Sequence, residues 1–356
     1  MNLEAVLHKA IEEKASDIFI ISHLAVTFKV EGNLMQASPD LLKPETTEEL
    51  IREIYVMANN RSMDTLLNTG DDDFSFSVPG QGRFRANTFR QRGSLAAIIR
   101  IIMFDLPDPS ALNIPDSVMN LAEISHGLVL VTGAAGSGKS TTLACIIDRI
   151  NRSKHGHIIT MEDPIEYIHR HRNCVVSQRE IPSDTHSYVT ALRAALRQSP
   201  NVLLLGEMRD SETIEIAMTA AETGQLVLST LHTLGAANSI DRIIDSFPHN
   251  QQRQIRMQLS MVLKAVVSQQ LLPCTNGTQR ATFEVMISNL AIQNLIREEK
   301  IHQIDNAIFS GAKEGMMSMD NSVLELYKQG LITAENAIRY STNYATMENQ
   351  LKQIKI

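Results

Sequence analysis

The sequence has no tryptophan and only three cysteines in 356 residues. Cys145, Cys174 and Cys274 form no CxxC pair and no metal-ligand spacing, which excludes a disulfide framework or zinc element and fits free thiols in a reducing compartment. Basic charge is in short supply as well. The 33 lysines and arginines against 40 acids leave a formal charge of −7, so no global basic surface is available for sequence-independent nucleic-acid binding, and no nucleic-acid partner is expected. No apolar run approaches the roughly 20 residues of a membrane span. The opening MNLEAVLHKAIEEKASD is interrupted by Glu4, Glu12 and Glu13 and lacks the layout of a signal peptide. A cytoplasmic chain is expected, one that reaches a membrane only through a protein partner. Its length accommodates two domains.

The first hundred residues read as mixed α and β. A helix-like spacing of apolar residues opens the chain, strand candidates follow at 18–21 and 26–30, and a helix is expected over 47–59. FSFSV (74–78) and RFRANTFR (83–90) alternate as strands. Pro, Asp and Ser gather in 106–117, which reads as a linker. Beyond it, short continuous apolar strands at 127–133, 157–161, 201–206 and 225–230 alternate with helices at 139–150, 187–198 and 211–222, the pattern of a doubly wound α/β domain. After about Pro248 the chain is expected to be mostly helical, with one strand at 281–287.

GAAGSGKST (133–141) fits GxxxxGK[ST] between an apolar strand and a helix. Glycines let backbone N–H groups curl around phosphate oxygens, Lys139 can reach the β and γ phosphates, and the Ser140 hydroxyl can ligate Mg²⁺. Gly133, Gly136, Ser137, Gly138, Lys139, Ser140 and Thr141 are the candidate nucleotide-binding residues. Two acidic segments close later strands: TMEDPIE (160–166), with Glu162, Asp163 and Glu166, and GEMRD (206–210), with Glu207 where an Asp would be usual. Both are expected at the carboxyl ends of sheet strands, where open α/β sheets bind ligands. His232, in STLHT, closes another strand of the series.

The stretch from Arg83 to Arg100 carries five arginines and no acid. A turn centred on Arg92-Gly93 sets Phe84 opposite Ile101, Ala86 opposite Ile99 and Arg85 opposite Arg100. Like charges across a strand pair repel, so Arg85 and Arg100 are expected to share an anion.

These segments, together with ASDIFI, DFSFSVPGQGRFRAN, QREI, SQQLLP and AIQNLIREEK, resemble the PilT-type retraction ATPases of the type IV pilus and type II secretion ATPase superfamily. The resemblance implies a PAS-like α+β domain over 1–105, the linker 106–117, and a RecA-like P-loop ATPase domain with C-terminal helices over 118–356. It implies a cytoplasmic homohexamer that hydrolyses Mg·ATP, bound at the inner membrane face to a pilus platform protein and through it to pilin, with a paralogous retraction or extension ATPase as a further partner. Glu162 would polarise the attacking water, Glu207 support Mg²⁺ together with Ser140, and His232 sense phosphate; Arg85 and Arg100 would reach the ATP of a neighbouring subunit. Extension and secretion relatives usually carry a longer N-terminal region and a tetracysteine zinc element, so the retraction branch is expected. The chain departs from the family pattern at Phe19, Gln225 and Gln293. The last lies in a motif linked to retraction, which keeps open an accessory paralogue similar to PilU. A nucleotide-gated scaffold with little turnover is the reading from outside the enzymes.

Overall fold

Alternation of apolar and polar residues builds the first sheet. In Asp71–Val78 (β4) Phe74 and Phe76 turn inward, and in Gly82–Gln91 (β5) Phe84 and Ala86 do the same. The computed structural model describes residues 2–30, 32–102 and 106–354. It divides into two compact units, Met1–Asp105 with Pro164–Ile168, and Leu106–Asp163 with His169–Ile356.

The first unit holds six antiparallel strands: Asp17–Ile20 (β1), Ala25–Val30 (β2), Asn33–Leu41 (β3), β4, β5 and Ser94–Ile102 (β6), in the order β3-β2-β1-β6-β5-β4. Helices Leu3–Glu12 and Pro44–Met57 contribute Leu3, Leu7, Leu50, Ile51 and Ile54 to its core, against Ile18, Phe28, Phe84 and Ile99. The second helix starts at a proline, whose missing N–H is harmless at that position. The β5–β6 hairpin has the expected register: Phe84 pairs Ile101, Arg85 pairs Arg100 and Ala86 pairs Ile99. Arg92 (φ 48°) and Gly93 (φ 81°) are both left-handed, as a two-residue type I′ turn requires. β3 is a strand that the sequence reading missed. It lies at the sheet edge, almost wholly exposed and with Pro39 within it, so no buried alternation announces it.

The second unit holds a seven-stranded sheet. Its strands are Gly127–Thr132 (β7), Gly156–Glu162 (β8), Cys174–Glu180 (β9), Val202–Leu205 (β10), Leu226–Leu231 (β11), Leu263–Pro273 (β12) and Gln279–Ile287 (β13). The order is β13-β12-β7-β11-β10-β8-β9, parallel except for the antiparallel β12–β13 pair. β7 is buried on both faces: Leu128 and Leu130 join one core, Val129 and Val131 the other, which is why its sequence is continuously apolar. Helices Lys139–Ser153, Tyr188–Ala195 and Ser211–Glu222 fall where expected.

The largest correction is β12. Residues after Pro248 were expected to be mostly helical, yet Leu263–Pro273 inserts as a strand between β7 and β13. It follows directly on helix His249–Val262 with no turn residue between them, and Ser268-Gln269-Gln270 breaks its apolar run. β9 was not anticipated either. Residues 106–117 lie in the second unit, with Ile114 buried there and helix Asp116–Met119 beginning inside the stretch. No helix among the described residues is long and apolar enough to cross a membrane.

Candidate active site

The parallel registers bring the carboxyl ends of β7, β8, β10 and β11 to one sheet edge: Thr132 pairs Leu231, Leu205 pairs Ser229, and Leu205 pairs Met161. The segments that follow these strands carry the candidate residues.

After β7 the chain turns through Gly133, Gly136 and Gly138, all with positive φ (144°, 77° and 88°). Two of these glycines are also required by close approach. A Cβ on Gly133 would strike the backbone carbonyl oxygen of Gln269 and lie 2.7 Å from Ser137 Oγ, and one on Gly138 would lie 2.8 Å from Gln269 Nε2. Helix Lys139–Ser153 starts at once, so its first N–H groups, which lack intrahelical acceptors, open onto the loop. Lys139 is nearly buried, and its Nζ donates to the carbonyls of Gly133 and Ala134, each at 2.9 Å. Ser137 Oγ is buried with no hydrogen-bond partner among the described residues. A cradle of left-handed glycines, a helix N-terminus, a buried cation and an unsatisfied hydroxyl fit a polyphosphate.

Gln269 was not singled out from the sequence. It is buried on β12 and accepts from Thr142 Oγ1 at 2.8 Å, so the strand backs the phosphate loop through both its carbonyl and its side chain. Beside it, a cavity of about 330 Å³ is lined by Leu112, Gly138, Thr142, Leu271, Thr278 and Ala281, mostly apolar.

Glu162 closes β8. Its Oε1 accepts from Thr160 Oγ1 at 2.6 Å and Gln178 Nε2 at 3.4 Å. Glu207 follows β10 and is 9% exposed. Gly206 N donates to the Met161 carbonyl (2.8 Å) and Thr230 Oγ1 to the Gly206 carbonyl (2.6 Å), which fixes the residue before it. Arg209 lies 2.5 Å from Glu207 Oε1, and His232 Nε2 lies 3.4 Å from Oε2. The hydrogen bond to Glu207 raises the Arg209 guanidinium pKa further above its ordinary value. His232 therefore touches Glu207 directly, a link absent from the sequence reading. Tyr188, also missed, packs its hydroxyl against Gly206; burial first, then the charges of Glu207, Asp163 and Glu162, raise its pKa.

Arg85 and Arg100 belong to the first unit, and each has a carboxylate of its own. Arg85 is bidentate to Asp73 (2.9 and 2.6 Å), and Arg100 Nε donates to Asp17 Oδ1 at 3.0 Å. The register is as expected, and neighbouring strands β4 and β1 also supply each arginine with a carboxylate within the chain. Glu166 lies in the 164–168 segment of the first unit.

The type II/IV secretion system protein family matches residues 1–354. The type IV pilus retraction ATPase PilT of Pseudomonas aeruginosa is 41% identical over 319 residues, 90% of this chain and 92% of that protein. The type IV pilus ATPase PilU of the same organism is 39% identical over 319 residues, 89% of this chain and 83% of that one. Among solved structures, the pilus retraction motor PilT with bound ADP superposes with a TM-score of 0.90 at 44% identity, covering 98% of this chain and 99% of that one. The chain belongs to the type II/IV secretion system protein family, among its PilT-type ATPases.

Proposed function

We propose that this chain is the subunit of a homohexameric motor that hydrolyses Mg·ATP and powers type IV pilus retraction. It would act at the cytoplasmic face of the inner membrane, through a platform protein, on pilin. The observation that carries the reading is a P-loop with a buried lysine and an unsatisfied hydroxyl, on the sheet edge that also presents Glu162 and Glu207.

In this mechanism the loop N–H groups, Ser137 and Lys139 bind the β and γ phosphates. Ser140 and Glu207 would hold Mg²⁺, which neutralises charge on the transferred group. Glu162, oriented by Thr160 and Gln178, polarises the attacking water. His232, resting on Glu207, responds to loss of the γ phosphate. The apolar cavity beside Gly138 takes the base, since such sites are mostly apolar with a few polar groups. Only Lys139 brings positive charge from the loop itself, so Arg85 and Arg100 of a neighbouring subunit supply the rest.

The ring is tested by analytical ultracentrifugation with Mg·ATP at micromolar concentration, where a hexamer is expected and monomer alone would overturn it. Arg85→Ala and Arg100→Ala are each expected to lower turnover about 10- to 100-fold, since two guanidiniums share the task. Their stability costs differ. The Arg85–Asp73 pair is a third or more exposed on both sides and contributes little, whereas Arg100→Ala leaves Asp17, 8% exposed, with Ser16 Oγ as its remaining side-chain donor among the described residues. Thermal melts should therefore rank Arg100→Ala below Arg85→Ala. Wild-type turnover in both variants retires the arginine assignment.

The accessory reading draws on Gln293 and on the comparable likeness to PilU. Deletion in the native host separates the two: retraction lost with the paralogue intact supports a principal motor, and retraction unchanged supports the accessory role.

A further inference from the structure

The β8–β9 register pairs Thr160 with Gln178 and Glu162 with Glu180, so Thr160, Glu162 and Gln178 lie on one face of the sheet. Gln178 stands between two groups of opposite demand. Its Oε1 accepts from the His169 backbone N–H at 2.7 Å, and its Nε2 donates to Glu162 Oε1 at 3.4 Å. A backbone N–H can only donate, so it fixes which end of the amide faces it and turns the NH₂ end to the carboxylate. Thr160 Oγ1 donates to the same oxygen of Glu162 at 2.6 Å. The two anchors of Gln178 also flank a crossing of the chain. Glu162 ends β8 just before Pro164–Ile168, the one stretch beyond Asp105 that belongs to the first unit, and His169 is where the chain re-enters the second. His169 is itself buried. Gln178 therefore bridges the entry and the exit of that stretch.

We propose that Gln178 is a positioning residue for hydrolysis whose amide ties Glu162 to the exit of the 164–168 stretch at His169. The His169 N–H holds the amide, and the amide in turn holds the carboxylate in the direction that polarises water. This makes the exit of the crossing stretch part of the catalytic arrangement, beyond the orientation of Glu162 by its nearest donors. The effect falls on the chemical step rather than on nucleotide binding, because the phosphate cradle is built from a different segment, Gly133–Lys139. The inference rests on the ATPase mechanism proposed above.

The test is steady-state ATP hydrolysis by full-length wild type, Gln178→Glu and Gln178→Met, with thermal melts of each. Gln178→Glu keeps an acceptor for the His169 N–H but sets an oxygen against Glu162 where a donor is needed. Gln178→Met has similar length and offers neither group. Both are expected to show a kcat about tenfold lower with the KM for ATP within about twofold of wild type, the effect of one lost hydrogen bond to a charged group. Gln178→Met should have the lower Tm of the two, because it alone leaves the His169 N–H without this acceptor. A Gln178→Glu enzyme with wild-type kcat, beside a Gln178→Met enzyme that loses activity and Tm together, would make the glutamine a structural staple and overturn the proposal. A rise in KM with kcat unchanged would overturn it too, since that places the amide in binding. Equal Tm values for the two variants would remove the tie to His169. Failure of the underlying mechanism is distinguishable, because the wild type itself would then show no turnover.

Discussion

Lys139→Ala is expected to reduce ATP turnover by at least about 10²–10³-fold, the scale seen when one donor is removed from a developing oxyanion. The lysine is the one positive side chain that the phosphate loop supplies, and nothing within the loop can replace it. Its Nζ now donates to the carbonyls of Gly133 and Ala134, an arrangement that holds the loop open around the place for phosphate. Truncation leaves both carbonyls without that donor, so the loop loses its shape as well as its charge. ATP affinity should fall along with kcat, which distinguishes this variant from those that affect chemistry alone. Fluorescent-nucleotide titration beside a phosphate-release assay checks both halves. Turnover within tenfold of wild type sinks the assignment.

Glu207→Gln has a comparable expected effect on rate, about 10²–10³-fold, with nucleotide still bound. The substitution keeps the size and an acceptor oxygen for Arg209 but removes the negative charge that would help hold Mg²⁺ and orient water. Stability should barely change. The partners of Glu207 are the exposed Arg209 and His232, and ion pairs with such groups contribute about 0–1 kcal/mol. A melt matching wild type, with turnover near background and ADP or ATP still bound, is the outcome that places Glu207 in the reaction. Equal, near-zero turnover in wild type and variant would instead favour the nucleotide-gated scaffold.

Local patterns were legible, and contacts between distant segments were not. The P-loop is nine consecutive residues whose chemistry follows from their order, so Gly133 to Thr141 could be named before the fold was known. The β5–β6 register was equally readable, because the Arg92-Gly93 turn fixes it and the alternation of Phe84, Ala86 and Ile99 agrees. The partners of Arg85 and Arg100 were hidden, since Asp73 and Asp17 reach them only through the strand order of the sheet. Gln269 was hidden for a different reason. It touches Thr142 across 127 residues of sequence, from a strand whose polar centre and helical neighbour disguised it. Tyr188 read only as the opening of a helix; what marks it is the bare Cα of Gly206, just past the end of another strand.

The position of β12 has a mechanical consequence. Gln269 presses on the phosphate loop, and three residues further along the same strand Leu272 is buried in a separate core with Met319, Val323 and Met347 of the C-terminal helices. Three residues of extended chain span about 10 Å, and every residue from Gln269 to Leu272 is paired with β13. The strand is a strut. One extended segment thus joins the backing of the phosphate loop to the core of the C-terminal helices without an intervening turn.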